Sequence, residues 1–132
     1  MHSTIQITAD QVLAALQQHR GKNAGIHVRA LVQAITGRES NPAAQERRVR
    51  TLITELRLAG NEICGKPESG YFLAQNTAEL EDTCKYLRSR AMSSLMQESR
   101  MRRMSLPELA GQLLLEPNFP KATPSTRNLY EQ

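Results

Sequence analysis

The sequence predicts a mainly α-helical protein with one small β-hairpin. Three observations carry this. Apolar residues recur at helical spacing in three segments before residue 60. Two short β-prone runs then flank the loop Gly65-Lys66-Pro67-Glu68-Ser69-Gly70. From Thr77 a helical pattern continues unbroken to Met104. The 132 residues suffice for one domain with a modest core, and that core must be aliphatic, because the chain has no Trp and 4 % aromatics.

Met1 to Ile7 reads as a loose lead-in. Thr8-Ala9-Asp10-Gln11 fits a capping box, since the Thr8 hydroxyl can accept the Gln11 amide and the Gln11 side chain can reach back. A helix to about His19 follows, with Val12, Leu13 and Leu16 on one face. Gly21 and Gly25 mark a turn, and Ile26-His27 forms a short strand. A second helix, Val28 to Ile35, points Val28, Leu31, Val32 and Ile35 inward and stops at Gly37. Ser40 or Asn41 caps a third helix, with Pro42 at its first position and Gly60 at its end. Ile63-Cys64 and Tyr71-Phe72-Leu73 are the two strands of the hairpin.

The third helix has two unlike faces. Val49, Leu52, Ile53 and Leu56 form an apolar stripe, and the opposite face holds Ala43, Ala44, Arg47, Arg50, Thr51 and Thr54. Arginines and threonines on one helix face suit phosphate and base-edge contacts, although a plain solvated helix has the same composition. The formal net charge is +4, and residues 21–60 hold seven Lys/Arg against three Asp/Glu. The excess therefore sits around this helix, which favours an anionic partner.

Asn76-Thr77 caps the long helix, with Glu79 and Glu81 at its positive end. Leu80, Cys84, Leu87, Ala91 and Leu95 form its main stripe, with Met92, Met96, Met101 and Met104 near it. About 28 residues at 1.5 Å each outreach a small three-helix domain, so part of the stripe needs another partner. Ser105-Leu106-Pro107-Glu108 is a second capping box and opens a short helix that covers the long one, its own or a partner's. From Pro117 the chain is Pro-containing and reads as a flexible tail.

The order helix, turn, short strand, helix, turn, cationic helix, strand, loop, strand resembles a winged helix-turn-helix domain over residues 8–75. Val28–Ile35 would be the first helix of the motif, and Arg47–Gly60 belong to the recognition helix. The run from Leu52 to Gly60 is similar to the I-x-x-L-R-x-x-G ending of such domains. Ile63 and Gly70-Tyr71-Phe72-Leu73 look like the wing of biotin-operon-repressor-type regulators, and small phage and prophage proteins share the layout. The turn from Thr36 to Asn41 is longer than in the simplest helix-turn-helix proteins.

The resemblance implies double-stranded DNA as partner, with the recognition helix in the major groove and the wing on the backbone or minor groove. Arg47, Arg48 and Thr51 are then expected at base edges or nearby phosphates. Arg29, Arg38, Arg50 and Thr54 are expected at phosphates, and Lys66 at the wing tip. The chain divides into a DNA-binding domain at 8–75, a dimerising extension at 76–116 and a tail at 117–132. The expected function is a dimeric transcriptional regulator. The other reading is a protein-interaction adaptor, in replication, assembly or phage–host contact, with Phe119 and Tyr130 of the tail as a docking peptide.

Nothing in the sequence assembles a catalytic site or calls for a cofactor. Cys64 and Cys84 form no CxxC pair and share no ligand spacing with His2, His19 and His27, which argues against zinc. Both cysteines are expected as small buried residues. No apolar run approaches the roughly 20 residues of a membrane span, and a reducing cytoplasm is the expected location.

Overall fold

Residues 6–117 are described in the computed structural model of the chain. The expected tail, with Phe119 and Tyr130, lies outside them. The elements in order are α1 (Ala9–Leu16), a 3-10 turn (Lys22–Ala24), α2 (Val28–Thr36), α3 (Ala43–Leu58), β1 (Ile63–Lys66), β2 (Gly70–Leu73), α4 (Thr77–Met101) and α5 (Leu106–Leu115). The protein is mainly helical with a two-stranded antiparallel sheet. The chain divides into two compact units, Met1–Thr83 and Cys84–Gln132.

In the first unit, α1 opens on the expected capping box, with Gln11 N donating to Thr8 Oγ1 at 3.2 Å and Thr8 N to Gln11 Oε1 at 2.9 Å. It ends at Leu16, short of His19, because the next carbonyls are needed elsewhere. Leu73 N donates to His19 O at 2.8 Å, and the His19 ring Nδ1 is 2.7 Å from Ala24 O. Gly21 N returns a bond to Leu73 O at 3.0 Å. Ile26 forms no full strand, but it exchanges two 2.8 Å backbone bonds with Tyr71. The segment after α1 thus satisfies the outer edge of β2 that a lone hairpin would leave open.

The core is Ile7, Val12, Leu16, Leu31, Val32, Val49, Leu52, Ile53, Leu56, Ile63 and Leu73. The apolar stripes of α1 and α3 supply most of it, at roughly 1.5–3 kcal/mol for each large side chain removed from water. One expectation is corrected. Ile7 is no loose lead-in: it is fully buried, and its carbonyl accepts from Arg48 Nε at 2.9 Å. Val28 and Ile35 pack against the core from its margin and are only half-buried.

Helix α2 stops as expected at Gly37, whose φ of 73° is left-handed. The entry to α3 differs. Pro42 is the N-cap and no side chain caps the helix, because the Asn41 amide donates to Arg38 O at 2.9 Å instead. Helix α3 ends in a Schellman motif, with Gly60 at φ 100° and bonds from Gly60 N to Arg57 O and from Asn61 N to Leu56 O. The hairpin pairs Ile63 with Leu73 through Lys66 with Gly70, so Lys66 lies in β1 and the loop is Pro67 to Ser69.

Asn76 Oδ1 caps α4 by accepting from Glu79 N at 2.9 Å, and the Glu79 carboxylate accepts from Gln75 N and Lys22 N at 2.9 Å each. The first turns of α4 are pinned to the hairpin. Gly65 N donates to Thr83 Oγ1 at 3.2 Å, and the Cys64 thiol is 3.6 Å from Glu79 O. Thr83, not Cys84, is therefore the buried residue here. Cys64 is buried as expected, but Cys84 is exposed, because the contact face lies one residue round the helix. Thr83→Val keeps the shape but strands the Gly65 amide. We expect a loss of about 1–3 kcal/mol in chemical denaturation, whereas the exposed Cys84→Ser should change stability by less than about 0.5 kcal/mol.

The second unit contains the rest of α4 and α5. Helix α4 ends at Met101, three residues before the expected Met104. Arg103 takes a left-handed φ of 55°, with bonds from Arg103 N to Arg100 O and from Met104 N to Ser99 O. This is a Schellman ending without glycine. Ser105 and Glu108 form the expected capping box of α5. Among the described residues of this unit only Ser99 and Leu109 are buried.

Candidate nucleic-acid interface

Burial of Val49, Leu52, Ile53 and Leu56 rotates the opposite side of α3 to solvent. Ala43, Ala44, Arg47, Arg50, Thr51, Thr54 and Leu58 are exposed along it. The alanines keep the leading end of this face thin. Because no side chain caps α3, the amides of Ala43 and Ala44 stay open to an acceptor from outside, while Gln45 N donates to Pro42 O at 3.0 Å.

The arginines expected at one interface do different things. Arg47 is exposed and makes no hydrogen bond or ion pair among the described residues. Arg50 and Arg29 flank Glu46, with Arg50 Nη2 at 3.8 Å and Arg29 Nε at 3.7 Å from its carboxylate. Both pairs are long and exposed, so they hold the arginines weakly and leave them available to a stronger anion. Arg38 is exposed in the turn after α2, whose path is set by Arg38 N to Thr36 Oγ1 at 3.2 Å and Gln33 Nε2 to Glu39 O at 2.9 Å. Beside it a cleft of about 340 Å³ runs between Arg29 and Gln33 on α2 and Ala43 and Glu46 on α3. Thr51 is exposed, and the Thr54 hydroxyl donates to Arg50 O at 3.2 Å.

Two expected contacts are corrected. Arg48 turns inward and is half-buried with its Nε bound to Ile7 O, so it anchors the chain before α1 rather than reading an edge. Arg48→Ala should lower stability by about 1.5–3 kcal/mol, the worth of a charged hydrogen bond. Chemical denaturation checks this. Lys66 is not at the loop tip. Its ammonium is 2.7 Å from Asp82 on α4, and its side chain is 23 % exposed. The tip itself carries Glu68 and no cation.

A feature that periodicity could not reveal is how charge divides in the fold. Residues 6–83 contain nine Lys/Arg and nine Asp/Glu. Residues 61–83, which form the hairpin and the start of α4, hold five of those acids and one lysine. The cations of residues 6–83 thus lie almost entirely before residue 61, and the hairpin with the start of α4 is acidic. Arg57, another cation of the counted segment, is also spent inside: its Nε donates to Ile63 O at 2.7 Å and its guanidinium lies 5.8 Å from the Tyr71 ring centre.

For the expected extension, Leu80 and Leu95 are half-buried while Cys84, Leu87 and Ala91 are exposed. Among the described residues no three His, Cys, Asp or Glu side chains group as metal ligands, and no helix is long and apolar enough to cross a membrane. In comparisons with known proteins, no family model, no curated protein and no solved structure matches the chain.

Proposed function

We propose that this chain is a double-stranded-DNA-binding regulator of transcription with a winged helix-turn-helix domain, acting as a dimer through α4. The observation that carries the reading is the solvent face of α3, where Arg47, Arg50, Thr51 and Thr54 stand together while the opposite stripe is buried. A 16-residue helix is about 24 Å long and fits a major groove about 12 Å wide. Arg47 and Thr51 then face base edges. Arg29, Arg38, Arg50 and the open α3 amides face phosphates. The acidic hairpin supports no phosphate contact of its own, so the reading places affinity on α2, α3 and their turn.

Fluorescence anisotropy with labelled duplex DNA, random and genomic, tests it. Micromolar binding that weakens steeply with salt is expected. No binding at about 50 mM salt overturns the reading, since the phosphate contacts alone give measurable affinity there.

One observation favours the adaptor reading. Leu58 is 66 % exposed at the end of the same face of α3, where a protein surface would cover it and a phosphate would not. A partner that survives loss of Arg47 and Arg50 but not Leu58→Ser would select that reading.

A further inference from the structure

We infer that α3 selects duplexes carrying a guanine and, further along the same major groove, thymine: Arg47 takes the guanine edge, and the apolar ends of Thr54 and Leu58 take thymine C5-methyl groups. The inference rests on the DNA reading proposed above and adds the base composition of its site. Arg47, Thr51, Thr54 and Leu58 follow one another at intervals of four, three and four residues. At about 100° per residue they fall within about 60° of one direction, on the side of α3 opposite its buried stripe. All four are exposed. The helix is thin at both ends of this row, with Ala43 and Ala44 before it and Ala59 and Gly60 after it, all exposed. Either end can therefore approach a groove floor.

The chemistry of the row changes along its length. Arg47 has no partner among the described residues and presents a fork of donors that matches guanine O6 and N7. Thr54 presents no donor, because its hydroxyl proton goes to Arg50 O at 3.2 Å, and the free part of its side chain is the methyl. A phosphate needs a donor, so Thr54 faces a base rather than the backbone. The one cation after Arg50 in α3, Arg57, donates its Nε to Ile63 O, and Glu55 beside the row is an acid. The second half of the row thus offers a phosphate nothing. Leu58 is 66 % exposed. In the major groove the apolar group of the recognition pattern is the thymine methyl, and the other groups are donors and acceptors that Leu58 would leave unpaired. Arg47 and Leu58 are 11 residues apart, about 16.5 Å along the axis. With α3 lying along the groove, the row spans at most about five base pairs of about 3.4 Å each.

Selection by the full chain from a synthetic random duplex pool, followed by replacement of thymine with uracil, tests this. Deoxyuridine pairs as thymidine does and lacks only the methyl. Enriched duplexes should carry a guanine with thymine within about five base pairs of it. In anisotropy on the enriched duplex, uracil should weaken binding about four-fold for each methyl that α3 covers, and uracil outside the enriched positions should not. Leu58→Ala should shrink this penalty, and so should Thr54→Ser, which keeps the hydroxyl and loses the methyl. The double variant should bind thymine and uracil duplexes alike. Arg47→Ala should lose the preference for guanine and keep the uracil penalty. An enriched site without thymine, equal affinity for the two duplexes, or a penalty unchanged in the double variant overturns the inference, leaves DNA binding standing and assigns Leu58 to a protein partner. Failure to bind the random pool at about 50 mM salt overturns the DNA reading itself, and this inference with it, before any uracil is introduced.

Discussion

Replacing Arg47 and Arg50 together by alanine should weaken duplex DNA binding about a hundred-fold and leave the fold intact. Two lost contacts at about 1–3 kcal/mol each set the scale. The log–log slope of affinity against salt should fall by about 1, because Arg50 is the phosphate-neutralising cation of the two and each such cation contributes about 0.9. The fold should survive because Arg47 has no partner among the described residues and Arg50 holds only a 3.8 Å exposed pair with Glu46. Glu46 retains Arg29 at 3.7 Å. Anisotropy over a salt series, with circular dichroism as the fold control, checks both halves. An unchanged slope removes α3 from the interface. Arg48→Ala is the matched control, an arginine one residue away that serves the fold.

Gly70→Ala should be among the most damaging single substitutions in the first unit. Gly70 has φ 70°, and a Cβ there would lie 2.6 Å from Ile26 C, 2.7 Å from Ile26 O and 2.9 Å from His27 N. These are backbone atoms held by the paired Ile26–Tyr71 bonds, so they cannot swing aside. Left-handed strain and overpacking together should remove about 2–4 kcal/mol from the unfolding free energy. For a unit of this size that is a fall in Tm of about 10–25 °C. Gly60→Ala separates the two effects. Gly60 has φ 100°, but nothing lies within 4 Å of its would-be Cβ, so only about 1 kcal/mol of backbone strain is expected. Equal losses at the two sites would show that the approach of Ile26 to Gly70 is not rigid.

The damage at Gly70 also marks where local reading stopped. Glycine at a strand start reads as a turn residue. Its actual task is to let the segment after α1 lie against β2, and that depends on a partner 44 positions earlier. Gly25 meets the same contact from the other side, where a Cβ would fall 1.9 Å from Ser69 O. The 3-10 turn at Lys22–Ala24 is likewise tied to α4 through Lys22 N and Glu79. No periodicity carries such pairings.

The α3 face was legible because burial of a helix stripe dictates the direction of every other side chain on it. The identity of the free arginines was not. Arg47 and Arg48 are adjacent in sequence, and a rotation of about 100° sends one to solvent and the other to Ile7 O. Lys66 failed as a tip residue for a similar reason: the strands extend further toward the tip than their apolar residues indicate, and Asp82 waits across from β1.

By itself, then, the sequence determined the helices and the hairpin, the caps of α1, α4 and α5 and the two-faced character of α3. These follow from hydrophobic spacing, capping boxes and glycine stops, all of which act within a few residues. Only the tertiary structure decided which charges remain available. Arg48, Arg57 and Lys66 are drawn to a carbonyl, a carbonyl with a ring, and a carboxylate supplied by other elements. It also decided that Thr83 rather than Cys84 meets the hairpin, because the angle at which a helix docks is set by the surface it docks on. The cationic character counted along residues 21–60 is thereby narrowed to Lys22, Arg29, Arg38, Arg47 and Arg50. The apolar stripe of α4 remains uncovered at Leu87 and Ala91, where one chain has nothing to place over it among the described residues.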